Sequence, residues 1–149
     1  CESRDGTVLR TNLSRNKRRI HEMTIVTSKN HSNQTLKKVI EKLNFKDQIV
    51  MGSVGCKIAS ILRGESNIYI CLSLPGKSSP KDWDFAAPEA ILKTAGGSLT
   101  NLNNDELSYG GSNFEQGGII VATSGKISHK SICSQIMQVI RKFDLYPFD

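Results

Sequence analysis

The stretch "MTIVTSKNHSNQTLKKVIEKLNFKDQIVMG", residues 23–52, decides how this chain folds. Its opening "MTIVTS" is a short β-branched run and reads as a strand. Through "NQTLKKVIEKLN" (33–44), Leu36, Val39, Ile40 and Leu43 recur at helical spacing and form one apolar stripe. "QIVMG" (48–52) then reads as a second strand. A strand, a helix and a strand in immediate succession predict layered α/β architecture.

The pattern continues outward. "VGCKIASILRG" (54–64) predicts a helix with Ile58, Ile61 and Leu62 inward, stopped by Gly64. "NIYICL" (67–72) is a strand, and "LPGKSSPK" (74–81) has the proline, glycine and serine content of a loop. A helix stopped by Gly96-Gly97 follows, then strands at "SLTNL" (98–102) and "GIIVAT" (118–123) around the loop "NNDELSYGGSNFEQG". "HKSICSQIMQVIRKF" (129–143) closes the chain with Ile132, Ile136, Val139, Ile140 and Phe143 on one helical face. Together these predict a single α/β domain over 1–149, a mostly buried sheet flanked by helices. Residues 1–22 are expected to be an extended basic lead-in.

Length, charge and cysteines narrow the function. The 149 residues suffice for one ordinary core, and no apolar run approaches the ~18 residues of a membrane span. No signal-peptide pattern opens the chain, so a cytoplasmic address is expected. The start at Cys1 suggests a piece of something longer. The four cysteines, Cys1, Cys56, Cys71 and Cys133, show no metal-binding spacing with His21, His31 or His129 and are expected to be free thiols. Cys133 lies four residues after His129, a spacing that on an amphipathic helix reads as packing with a polar rim. A net charge of +6 concentrates in Arg10, Arg15, Lys17, Arg18 and Arg19, which suits a phosphate-bearing partner or a solvated loop.

The chemistry gathers in "PKDWDFAAPEAILKTAGG", residues 80–97. Pro88 has no amide proton and belongs in a first turn, which predicts a helix start at or just before residues 84–87. Asp84 then sits at the positive end of the helix. There it either caps free amides or presents an anionic oxygen to a hard cation such as magnesium. Trp83, the single tryptophan, is expected either to pack beside that carboxylate and exclude water or to be a core residue.

"DWDFAAPEAILKTAGG" resembles a signature of the magnesium-dependent, lithium-sensitive phosphatase superfamily, which includes inositol monophosphatase, fructose 1,6-bisphosphatase and 3'(2'),5'-bisphosphate nucleotidase. "SKNHSN" (28–33) and "GSVGCKI" (52–58) are similar to turns of the nucleotidase branch, and the resemblance runs from about residue 5 to 124. It implies the fold of the C-terminal half of the inositol monophosphatase and sugar phosphatase group. It also implies substrate contacts from Ser28, His31, Gly55 and Lys57, and a magnesium ligand in Asp84. Lys57 would supply a point charge to a phosphate, the Gly55 amide would approach an oxygen unobstructed, and His31 and Ser28 would donate to another.

Two features depart from the family pattern. Where relatives place an arginine before the Trp-Asp loop, "IYICLSLPGK" puts Cys71 or Ser73, with Lys77 as the substitute. The Asp-Pro-x-Asp-Gly-Thr motif that supplies most metal ligands is absent, and Asp5-Gly6-Thr7 reads as a hairpin turn. The resemblance therefore implies a C-terminal half whose Mg2+ ligands lie mostly in an N-terminal half, its partner. The isolated chain would be inactive, while the parent would hydrolyse the 3'-phosphate of 3'-phosphoadenosine 5'-phosphate. An inositol or fructose phosphatase is the alternative within the superfamily. A nucleic-acid-binding module built on "RTNLSRNKRR" (10–19) is the alternative of another class, disfavoured by the lack of aromatic stacking residues in that segment.

Overall fold

Alternate residues of the central strands face two different helix pairs, and this alternation builds the molecule. The computed structural model describes residues 19–29 and 33–148. In it β1 (Thr24–Ser28), β2 (Asp47–Met51), β3 (Ile68–Ser73), β4 (Ser98–Asn101) and β5 (Gly118–Thr123) form one sheet of order β2-β1-β3-β5-β4. β1 runs parallel to both β2 and β3, while β5 is antiparallel to β3 and to β4.

On one face Ile25, Ile68, Ile70, Leu72, Ile119 and Val121 meet α1 (Gln34–Leu43) and α4 (His129–Lys142). On the other, Val26, Tyr69, Ile120 and Ala122 meet α2 (Val54–Leu62) and α3 (Asp82–Thr94). The result is helix, sheet, helix, as the sequence predicts. Full burial of a Leu, Ile or Phe side chain is worth about 1.5–3 kcal/mol, so these two cores dominate the stability.

The helix ends follow from local chemistry. The Asn33 carboxamide accepts from the Leu36 amide at 2.7 Å, capping α1, and donates to the Leu72 carbonyl at 2.9 Å, tying that cap to the end of β3. Ser53 caps α2 by accepting from the Cys56 amide at 3.1 Å. After α3, Gly96 takes φ +84°, and a Cβ on Gly97 would stand 2.8 Å from the Thr123 carbonyl oxygen.

Three expectations need correction. α3 begins at Asp82, so Pro88 lies in its second turn and not its first; the proline deprives the Asp84 carbonyl of its helical partner, on a side where Ala86 and Ala87 face solvent. Burial begins before residue 23: a 3-10 turn spans Ile20–Glu22, and Ile20 joins the α1/α4 core because the Met23 backbone is already anchored to Lys46. Trp83 is 66% exposed and stacks at 6.1 Å on Phe114, so it is neither a core residue nor a shield over Asp84. The rest of the expected lead-in, including Cys1, the Asp5-Gly6-Thr7 turn and most of the basic cluster, lies outside the described residues. Cys56, Cys71 and Cys133 are free thiols.

Candidate functional site

The chain leaves β1 toward β2 by way of α1, then returns over the opposite face by α2 to β3, on the other side of β1. At such a reversal the carboxyl ends of neighbouring parallel strands separate and leave a crevice. Here that crevice is a cleft of about 820 Å³. Ser28 comes from the end of β1, Gly52, Ser53 and Val54 from the turn into α2, Cys71 and Ser73 from the end of β3, and Asp84 from the start of α3.

The structure thus brings Ser28, Lys57 and Asp84 to one cleft. Lys77 lines it too, on an exposed loop at its rim. Gly55 sits in the first turn of α2, where backbone amides lack intrahelical partners, but it is not among the lining residues. Around it the nearest atom to an added Cβ is Ser53 Oγ at 3.8 Å, so no contact within the chain requires glycine. His31 lies outside the described residues.

Lys57 differs from the point charge on an open helix end. It is only 2% exposed, its ammonium donates to the Gly52 carbonyl, and the same Nζ stands 5.2 Å over the Tyr69 ring. An ammonium has three protons, so the Gly52 contact leaves donors for an anion in the cleft. Burial pushes its pKa below the ordinary lysine value, an effect opposed in part by Cys71, Cys56 and Asp84. Burial pushes the Cys71 thiol up, so it is no thiolate nucleophile at neutral pH.

Of the two tasks that the sequence left open for Asp84, the structure shows the capping. Its Oδ2 accepts from the Lys81 amide at 2.9 Å and closes the first turn of α3. Its Oδ1 accepts no hydrogen bond among the described residues and is a hard oxygen, of the kind that suits magnesium. Magnesium asks for octahedral coordination, however, and among the described residues no group of three or more His, Cys, Asp or Glu gathers. These residues do not by themselves hold the ion. What they form is a cleft lined by one ammonium, a serine hydroxyl and one carboxylate oxygen without a hydrogen-bond donor among the described residues.

Sequence reasoning missed Asp82. Two residues before Asp84, it is buried and accepts from Gln116 Nε2 and the Gly110 amide, each at 2.6 Å. It thereby fastens the 102–117 connection across the start of α3. The only signal available was its place in the Asp-Trp-Asp triplet, where one of two acids had to face inward. Outside the cleft, His129 and Cys133 do meet, Sγ to Nε2 at 3.5 Å, but the imidazole is spent on Thr100 (2.7 Å) and Thr123 (2.8 Å). Burial holds His129 at about 4 and pushes Cys133 to about 11, so the pair is neutral packing, as expected.

Comparison with known proteins agrees with this fold. The mouse (Mus musculus) 3'(2'),5'-bisphosphate nucleotidase 1 is 36% identical over 85 residues, covering 57% of this chain and 26% of that protein. The mouse Golgi-resident adenosine 3',5'-bisphosphate 3'-phosphatase is 26% identical over 119 residues, 75% of this chain and 32% of its own length. Among solved structures, an inositol monophosphatase of Thermotoga maritima has a TM-score of 0.65 at 19% identity, over 93% of this chain and 48% of that one. Inositol monophosphatase II of Staphylococcus aureus gives 0.61 at 19%, over 90% and 48%. The chain therefore spans about half the length of these structures and a smaller share of the curated relatives. A profile described as the inositol monophosphatase family matches residues 2–141, and with that match and this fold the chain belongs to the inositol monophosphatase family.

Proposed function

We propose that this chain is the substrate-binding and metal-completing C-terminal half of a magnesium-dependent phosphomonoesterase that converts 3'-phosphoadenosine 5'-phosphate to AMP and phosphate. The observation that carries the reading is the convergence of Ser28, Lys57 and Asp84 on one cleft at the carboxyl ends of β1 and β3. In this reading Ser28, His31 and Lys57 hold phosphate oxygens, the Gly55 amide assists, and Lys77 at the rim takes the role of the family arginine. Asp84 contributes one oxygen to the metal site, and an N-terminal half supplies the remaining ligands. The exposed apolar face of α3, formed by Trp83, Ala86, Ala87 and Ala90, supports a partner surface of that kind. By itself the chain is then inactive, and the cytoplasm is its expected location. No helix among the described residues is long and apolar enough to cross a membrane.

Titrating the 149-residue chain with 3'-phosphoadenosine 5'-phosphate, and separately with inositol 1-phosphate, tests the reading through amide shifts in NMR. Shifts at Ser28, Gly52 and Ser53 with the nucleotide alone are the expected result. Response to inositol phosphate alone favours the second reading, an inositol phosphatase, to which the solved neighbours lend weight. Phosphate release by a preparation shown by mass to hold only this chain would overturn the half-site reading.

A further inference from the structure

Tyr69 lines the cleft, yet no motif points to it. It faces α2 and α3, and it pairs with Val26 in the β1–β3 register. Ser28 lies two residues beyond Val26 and Cys71 two beyond Tyr69, so all four share one face of the sheet. Continuing the register sets Ser28 and Cys71 opposite one another, just past the last pair the two strands form. Ser28 and Cys71 thus flank the Tyr69 side chain on that face, close enough for each to act on the proton of its hydroxyl. Its ring lies under the Lys57 ammonium at 5.2 Å, and it is itself 2% exposed on the cleft floor.

Two donors aimed at one anion are useful only if both are held in place. A serine hydroxyl rotates, and an ammonium on a four-carbon stem swings, unless something fixes them. Among the described residues, Tyr69 lies beside both, under Lys57 and on the same sheet face as Ser28. We propose that Tyr69 is a positioning residue for anion binding: its hydroxyl sets the rotor of Ser28 and its ring face sets the ammonium of Lys57, so that the two converge on the same phosphate.

Burial pushes the phenol well above its ordinary pKa, so the hydroxyl remains protonated across the working range and the arrangement does not titrate away. Cys71 borders the same hydroxyl without supplying charge. The proposal rests on the phosphate-binding reading of the cleft, and its test separates the two.

Affinity for 3'-phosphoadenosine 5'-phosphate is measured by calorimetry on the full chain, on Tyr69→Phe, on Ser28→Ala and on the double variant. Tyr69→Phe keeps the ring under Lys57 and removes only the hydroxyl, so the fold should survive. It should weaken binding about 3–10-fold, the size of one neutral hydrogen bond. In the Ser28→Ala background the same change should do less than about 2-fold more, because the hydroxyl acts through Ser28. A second variant, Tyr69→Leu, also removes the ring face and should weaken binding further. A merely structural tyrosine would lower affinity equally in both backgrounds. Full additivity, or unaltered binding by Tyr69→Phe, overturns the proposal while the phosphate reading stands. No binding by the unaltered chain overturns that reading and this proposal with it.

Discussion

Asp82 and Asp84 are two residues apart in the first turn of one helix, and they do opposite work. Asp82 is buried, and both its oxygens are spent on Gln116 and the Gly110 amide. Asp84 is exposed toward the cleft, and one oxygen caps Lys81 while the other is left over. The same division separates two regions of the molecule. The 102–117 connection is pinned to α3 by satisfied pairs: Tyr109 donates to Glu89, Lys93 bridges Glu89 and Glu106, and Lys81 meets Glu115 at 2.9 Å. The cleft instead keeps donors and an oxygen in reserve. Polar groups that finish their hydrogen bonds within the chain build structure, and those that do not are available to a ligand.

If that division holds, Asp82→Ala should cost the most, about 2–4 kcal/mol by urea unfolding, because it removes two charge-assisted hydrogen bonds, those from the buried Gln116 and from the Gly110 amide. A loss no larger than that of Asp84→Ala would break the comparison. His129 extends the committed class, since both ring nitrogens serve threonines. Its pKa of about 4 lies below the ~6.5 of an unfolded histidine, so the unfolded chain binds the extra proton first. Its contribution is fully present above about pH 6.5 and is lost as the pH falls toward 4. Allowing for its partial exposure, that loss is about 1–2 kcal/mol, and His129→Gln should flatten the profile over that window. A profile equally steep in the variant would place the titration elsewhere.

Asp84→Ala should cost about 1 kcal/mol, the scale of a lost cap, while removing magnesium-dependent phosphate release from an assembled enzyme. A large destabilisation would move Asp84 into the committed class. Trp83→Ala should be the mildest, within about 1 kcal/mol, since it loses only an exposed contact with Phe114. A greater loss in melting experiments would show that the exposed face of α3 is already covered in solution.

Much of this was legible along the chain. The helical stripe of Leu36, Val39 and Leu43 and the apolar runs of β3 and β5 mark their elements because a buried face imposes its period on the residues that fill it. Gly64 and Gly96 mark helix ends because each sits at positive φ. Asp84 was marked by its place at a helix start, whereas Ser28 and Lys57 were legible only through a family resemblance. Pro88 misled, since its missing amide suggested a first turn where an exposed second turn tolerates it. Trp83 misled as well: a large ring tends inward, but the face that it occupies is turned away from the sheet.

The sequence by itself determined the order of strands and helices and where most of them stop, because local periodicity and turn chemistry depend on neighbours in the chain; the family came from the resemblance of its motifs. Tertiary structure alone decided which aspartate was buried, that Lys57 would lie over Tyr69, and that Ser28 would come to stand across from Cys71. Those facts depend on strand register and on which face each helix covers, and both are set by contacts between residues far apart in the chain.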